Sequence, residues 1–176
     1  MQFKKEHLLL YAVTDRAFTG RQSLYEQIRD ALSGGATMIQ LREKHLDEAS
    51  FLKEAISIKK LCSAYHAPLI INDNLTVALQ SSANGIHVGA GDTPVEEIRR
   101  QCGRDFIIGA TAKTVEQAKA AADAGASFIV SPGMNRDVVE FSIENHIPVF
   151  PGACTPTEIM AAMEYGLEVV KFFPAK

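Results

Sequence analysis

Residues 106–131 read FIIGATAKTVEQAKAAADAGASFIVS, and the fold is decided in this stretch. Phe106 to Ala110 is a short apolar run of strand length, Val115 to Ala124 has helical length and period, and Ser127 to Ser131 is a second apolar run. Thr114 stands where a helix N-cap belongs, and Gly125 where a C-terminal cap belongs. Strand, helix and strand in that order form a crossover unit, which joins parallel neighbours in a sheet.

The same unit repeats in both directions along the chain. The pattern predicts strands at about Leu8 to Thr14, Thr37 to Arg42, Pro68 to Asn72, Gly85 to Val88, Pro148 to Pro151 and Val169 to Phe173, which with the two above make eight. Between them it predicts seven helices, the others being at about Leu24 to Ser33, Ala49 to Tyr65, Leu75 to Gln80, Val95 to Gln101, Arg136 to Glu144 and Thr157 to Glu164. Gly34-Gly35, Gly103 and Gly166 punctuate helix ends, Thr155 is a further N-cap, and Pro156 sits at a first helical position. A G-x-G-x-x-G loop after the first strand, the mark of an open nucleotide-binding sheet, is absent. The expectation is therefore α/β, a (β/α)8 TIM-type barrel forming a single domain over residues 1–176, with the last helix missing because the sequence stops at Lys176. Alternation puts Val169, Lys171 and Phe173 on one side of strand eight and Val170 and Phe172 on the other. With the lysine facing inward, Phe172 faces outward where the last helix would lie, so the strand-one and strand-eight face is expected to be a homo-oligomer interface or the mark of a fragment.

Composition limits the function. A chain of 176 residues with 47% hydrophobic content can bury a proper core. Eighteen basic and twenty-one acidic residues give a net charge of minus 3 with no basic run, which argues against nucleic acid as a partner. The longest apolar stretches, such as Leu8 to Val13, fall far short of the roughly 20 residues a membrane span needs. Met1 to His7 lacks a signal-peptide layout, so a soluble cytoplasmic protein is expected. Cys62, Cys102 and Cys154 are odd in number, widely spaced and free of C-x-x-C; they read as buried filler, not as disulfides or zinc ligands.

Two places carry chemistry. In Gln40-Leu41-Arg42-Glu43-Lys44, at the end of strand two, alternation sends Gln40, Arg42 and Lys44 to one side and Glu43 to the other. An amide donor and two cations on one face suit a di-anionic phosphate or pyrophosphate, arginine giving bidentate bonds and lysine a point charge. The competing reading is a solvated strand end with surface charges. Next, Asn72-Asp73-Asn74 follows strand three, and Gly89-Ala90-Gly91-Asp92 follows strand four. Carboxylates on neighbouring strand ends suit Mg2+, which takes one or two of them and completes its shell with water and substrate phosphates. Both segments also favour turns and caps, and Asp92 could cap the helix starting near Pro94. His87, inside a strand, reads more readily as a core histidine than as a ligand.

With these residues in place the chain is identified as similar to the thiamine phosphate synthase family. Leu10-Tyr11-Ala12-Val13-Thr14-Asp15-Arg16, Gly34-Gly35-Ala36-Thr37, Gln40 to Lys44, Asn72-Asp73, Gly85-Ile86-His87-Val88-Gly89 with Asp92, and Gly109 to Thr114 resemble it in order and spacing up to about Ala126. The resemblance implies that Gln40, Arg42, Lys44 and Asn72 hold the pyrophosphate of a hydroxymethylpyrimidine substrate. It further implies that Asp73 and Asp92 hold magnesium and that Thr111 stands where a small hydroxyl residue lies by the substrate. The implied reaction is displacement of pyrophosphate from the activated pyrimidine by the nitrogen of a thiazole phosphate, with Arg42, Lys44 and Thr111 among the catalytic groups.

Past Ala126 the pattern departs from that family. The Pro-Thr-x-Thr-Lys loop, the Gly-Gly-Ile and the small-residue loop that would hold the thiazole phosphate are not found. Instead Phe128 to Gly133, Ile147 to Gly152 with Thr155, and Val170-Lys171-Phe172-Phe173-Pro174-Ala175 resemble the 2-keto-3-deoxy-6-phosphogluconate aldolase family. That resemblance implies a Schiff base between Lys171 and pyruvate, with no cofactor. Flanking Val169, Val170, Phe172 and Phe173 would desolvate the amine and leave it uncharged. The two resemblances together suggest a composite or truncated barrel acting on small phosphorylated substrates: a synthase-like transferase, impaired on its thiazole side, with an aldolase or a phosphate-binding scaffold without turnover as alternatives.

Overall fold

The computed structural model describes residues 3–173. Pro174, Ala175 and Lys176 of the tail motif, and Met1 and Gln2, lie outside the described residues. The elements run β1 (Tyr11–Val13), α1 (Leu24–Ser33), β2 (Met38–Leu41), α2 (Glu48–Ala64), β3 (Leu69–Asn72), α3 (Leu75–Gln80), β4 (Gly85–Val88), α4 (Val95–Cys102), β5 (Ile107–Thr111), α5 (Val115–Asp123), β6 (Phe128–Ser131), α6 (Arg136–Glu144), β7 (Val149–Ala153), α7 (Pro156–Glu164) and β8 (Lys171–Phe172). Strand and helix alternate throughout and the strand pairings described below are parallel, the order of the (β/α)8 TIM-type class. Among the described residues no helix follows β8.

Two compact units divide the chain, Met1–His87 with Arg104–Ile107 and Val88–Gly103 with Ile108–Lys176. In the first, β1 pairs with β2, β2 with β3 and β3 with β4, with Val13 opposite Gln40, Leu41 opposite Ile71 and Asn72 opposite His87. This register brings the carboxyl ends of β1, β2 and β3 side by side. All four residues of β2 and of β3 are buried, as expected for parallel strands covered on both faces. Met38, Ile39, Leu41, Leu69, Ile70 and Ile71 form its centre with Ile58 of α2. Gly85 is required where it stands, because a Cβ there would lie 2.2 Å from the carbonyl oxygen of Ile107.

In the second unit β5 pairs with β6, β6 with β7 and β7 with β8, with Thr111 opposite Val130, Ser131 opposite Pro151 and Ala153 opposite Phe172. Its core stacks the rings of Phe128 and Phe150 at 5.4 Å beside Ile129, Val138 and Val139. Here β7 runs on past the predicted Pro151 to Ala153, because Gly152 admits the Pro132 carbonyl to a position only 2.0 Å from where a Cβ would sit. Helix starts follow local chemistry: Thr114 caps α5, and Thr155 and Glu158 form a reciprocal capping box at α7.

Three expectations need correction. Strand one is shorter than Leu8 to Thr14: Lys5–Leu8 is a 3-10 turn, and the Leu10 N–H donates to the Thr37 hydroxyl at 2.9 Å. Strand eight is two residues rather than five: Lys171 and Phe172 lie opposite Gly152 and Ala153 of β7, and the Phe173 N–H closes the pairing on the Ala153 carbonyl at 3.2 Å. Of the cysteines, only Cys62 is buried filler, its thiol pushed up to about 12 by burial. Cys102 is half-buried, and Cys154 is exposed because it lies in the turn before α7, where its N–H donates to Glu158. Among the described residues no helix is long and apolar enough to cross a membrane.

Candidate functional site

The carboxyl ends of β1, β2 and β3 gather the polar comb in the first unit. Gln40 is buried, and its amide donates to the Tyr11 hydroxyl at 2.7 Å. Burial raises the Tyr11 phenol far above its ordinary pKa, with the Gln40 hydrogen bond opposing, so it stays protonated. Arg42, just beyond the last ladder residue, donates its backbone N–H to the Thr14 hydroxyl at 2.9 Å and its guanidinium to Asp15 at 3.2 Å. The Lys44 ammonium forms an ion pair with Asp73. The Glu43 side chain is 2% exposed and accepts from the Arg16 guanidinium.

Asn72, buried at the end of β3, precedes Asp73, which holds a φ of 64°. That left-handed backbone suits Asn, Asp and Gly and is costly for most other residues. It is fixed by the Asp73 N–H donating to the His87 carbonyl at 2.9 Å and by Asn74, whose side chain caps α3. Glu43, Lys44, Asn72 and Asp73 line an open cavity of about 300 Å³ whose wall includes Phe51. Both comb cations are thus paired with carboxylates, Arg42 with Asp15 and Lys44 with Asp73.

The second unit carries the other expected residues. Asp92 does not cap α4, whose N-cap is Pro94 without a side-chain bond. Its carboxylate instead accepts from the Gly89 N–H at 2.7 Å while its own N–H donates back to the Gly89 carbonyl, closing the turn after β4. Thr111 ends β5 and is half-buried. Lys171 begins β8, with its ammonium 4.6 Å from the centre of the Phe173 ring. The apolar enclosure expected around it is not there: Val169 and Val170 are half-buried and Phe172 and Phe173 exposed, because β8 is covered on few sides. The aromatic face also favours the charged ammonium. His87 is buried in β4, in keeping with a core residue.

Sequence reasoning passed over the frame of the comb. Thr14, Asp15 and Arg16 meet Arg42 and Glu43 in register, and Tyr11 meets Gln40. The available signal was a hydroxyl, an acid and a base in succession at the end of strand one. It also passed over Ser131, whose buried hydroxyl at the end of β6 has no hydrogen-bond partner among the described residues. Among those residues no group of three or more His, Cys, Asp or Glu could hold a metal by itself. The carboxylates present fit an ion such as magnesium, which needs only one or two and takes the rest from water and phosphate.

Comparison with known proteins bears on both halves. The thiamine-phosphate synthase of Clostridium acetobutylicum is 41% identical over 120 residues, which are 68% of this chain and 57% of that protein. The chain therefore spans well under two thirds of the length of such relatives. The solved thiamine phosphate pyrophosphorylase from Pyrococcus furiosus superposes with a TM-score of 0.80 at 26% identity, over 94% of this chain and 85% of that one. The KDPG aldolase from Legionella pneumophila superposes less closely, with a TM-score of 0.50 at 25% identity over 84% of this chain and 63% of that one. The family model for thiamine monophosphate synthase matches residues 10–134, most of the chain, including the comb, Asn72, Asp73, Asp92 and Thr111. The chain belongs to the thiamine monophosphate synthase family.

Proposed function

We propose that this chain is a transferase of the thiamine phosphate synthase type, joining hydroxymethylpyrimidine pyrophosphate to thiazole phosphate with loss of pyrophosphate. The observation that carries the reading is the cavity lined by Lys44, Asn72 and Asp73 at the ends of β2 and β3, with Arg42 beside Asp15 just past the last residue of β2. An incoming pyrophosphate exchanges for Asp15 and Asp73 as the partner of these cations. Arg42 then offers a fork of donors and Lys44 a mobile charge, while Gln40 and Asn72 supply amide donors at the buried end. Asp73 in the first unit and Asp92 in the second are the carboxylates proposed as magnesium ligands, and the ion would neutralise charge on the departing pyrophosphate. The carbon–oxygen bond to pyrophosphate breaks, the thiazole nitrogen bonds to the same methylene carbon, and the charge that builds on the leaving group is met by cations already in place. Thr111 lends a hydroxyl from the end of β5.

Incubation of the chain with both substrates and magnesium, with thiamine phosphate and pyrophosphate quantified, tests this. Formation of both products in equal amounts is expected. Pyrophosphate binding without product would leave a phosphate-binding scaffold and overturn the transferase. Lys171 has no part in the proposed reaction. A pyruvate imine trapped there by borohydride would move the assignment to an aldolase, against the cation–π contact that holds its charge.

The chain is further taken to fold as one domain, to work in the cytoplasm and to associate with itself through apolar residues at β1 and β8. Leu9, Leu10, Phe172 and Phe173 are each more than half exposed, a set that association would cover. A single unfolding transition and a sedimenting dimer that Phe172→Ser dissociates are the expected results.

A further inference from the structure

Between Arg42 and Lys44 stands a carboxylate that the proposed reaction does not use. The Glu43 side chain is 2% exposed, and one of its oxygens accepts from the Arg16 Nε at 2.8 Å. The same guanidinium reaches both oxygens of Glu54 on α2 at 2.6 Å through Nη2. The other Glu43 oxygen is buried with no hydrogen-bond partner among the described residues. Two carboxylates therefore face one arginine, and burial, with Arg16 opposing, raises the Glu54 pKa. The segment that carries this arrangement lies past the ladder, since β2 ends at Leu41. Sheet hydrogen bonds do not hold residues 42–44 in register there; the Thr14 hydroxyl on the Arg42 N–H and Arg16 on Glu43 do.

We infer that Arg16 is a positioning residue for the pyrophosphate comb: by holding Glu43, which stands between Arg42 and Lys44 past the end of the β2 ladder, it fixes the segment that presents both cations. The inference rests on the pyrophosphate reading of the comb. Its physical basis is that Glu43 lies between the two cations in a segment past the end of the ladder, so a contact that fixes Glu43 limits the positions open to both neighbours. Without the arginine, a buried carboxylate loses its only cation and lies against a second carboxylate, which is strongly unfavourable. Glu43 escapes by swinging to solvent. That motion turns the segment and displaces the cations it carries.

The test compares Arg16→Ala, Arg16→Lys, Glu43→Gln and the double variant Arg16→Ala/Glu43→Gln with the parent chain. Affinity for pyrophosphate in excess magnesium is measured by calorimetry, thermal stability by circular dichroism, and amide exchange over residues 40–46 by mass spectrometry. Arg16→Ala should weaken binding about 10- to 100-fold, in line with the loss of groups that orient a ligand shell. Arg16→Lys should fall between, because an ammonium keeps the charge but not the fork. The double variant should recover most of the affinity, since a neutral amide at 43 needs no cation. A purely structural Arg16 would lower the melting temperature of Arg16→Ala and leave its affinity unchanged, and that result overturns the inference. So does a double variant that binds no better than Arg16→Ala. Should Arg16→Ala not fold, Arg16→Lys and the double variant decide by the same criteria. Failure of the parent chain to bind pyrophosphate would refute the comb as a pyrophosphate site. Exchange then still decides the positioning role: faster exchange confined to residues 40–46 in Arg16→Lys or the double variant's Arg16→Ala parent supports it, and unchanged exchange refutes it.

Discussion

Replacing Asp73 by Asn removes one charge and almost nothing else, which makes it the sharpest probe of the site. The φ of 64° at this position is one that Asn accepts as readily as Asp, so the backbone at the tip of β3 should stay in place. Ala there would add strain of about 1–2 kcal/mol and confuse the result. The Lys44–Asp73 pair is partly open to water, with side-chain exposures of 44% and 29%. An exposed pair of this kind contributes about 0–1 kcal/mol, so stability should change little. Its effect on binding has two opposite parts. Without magnesium, Asp73 competes with pyrophosphate for Lys44, and its removal should tighten pyrophosphate binding by up to about fivefold, the equivalent of 1 kcal/mol. With magnesium, Asp73 is a proposed ligand, and its removal should abolish much of the gain in affinity that the ion brings. Calorimetric titration of pyrophosphate into parent and variant, with and without magnesium, reads both. An Asp73→Asn variant that binds more weakly without magnesium, or that keeps the full magnesium effect, refutes the reasoning and returns Asp73 to turn chemistry.

Arg42→Ala should lower pyrophosphate affinity about tenfold, the scale of a charge-assisted hydrogen bond at a half-open site, with the melting temperature nearly unchanged; equal affinities in the same titration would remove Arg42 from the site. Ser131→Ala should raise stability by about 1 kcal/mol, or roughly 2–4 °C in melting temperature, because it deletes a buried hydroxyl that has no partner; a destabilised variant in thermal unfolding would mean that the hydroxyl is satisfied in solution. Glu158, held down to about 2 chiefly by the Cys154 N–H and then by Thr155, has its pKa depressed on folding. Its charge therefore stabilises the folded state above its ordinary 4.5, and that contribution is lost as pH falls toward 2. Denaturant unfolding should find Glu158→Gln less stable than the parent at pH 6 and equal to it near pH 2, whereas a constant difference would show that the capping box does not depend on charge.

The fold was legible because its strands are buried on both faces. A run such as Leu69-Ile70-Ile71 has to be apolar throughout, and Asn74 and Thr114 had to be side chains that can cap. The ends were less legible where a side chain replaced a ladder bond, as Thr37 does at Leu10, or where a glycine let β7 continue past Pro151. The same limit holds at the site. Alternation assigned Gln40, Arg42 and Lys44 to one side and Glu43 to the other, yet a period of two says nothing about partners. Those depend on the register between β1 and β2, which places Thr14 and Asp15 beside Arg42, and on a second 3-10 turn, Arg16–Phe18, whose first residue bonds Glu43. Lys171 illustrates the converse. Apolar neighbours in sequence do not make an apolar environment when the strand that bears them is two residues long.

The partners that were not legible also determine how the comb can bind. Arg42 and Lys44 do not wait in solvent as open charges; each is held by a carboxylate, Asp15 or Asp73. A ligand gains from them only the difference between its own attraction and that of the displaced carboxylate. A singly charged anion resembles what it displaces and gains little, whereas a pyrophosphate brings several charges and can engage both cations at once. Asp73, once released from Lys44, is left with an unpaired negative charge next to the bound phosphates unless a cation arrives with them. On the proposed function the two events are coupled: magnesium would take up the carboxylate that pyrophosphate sets free, and simple phosphate should compete poorly at any magnesium concentration.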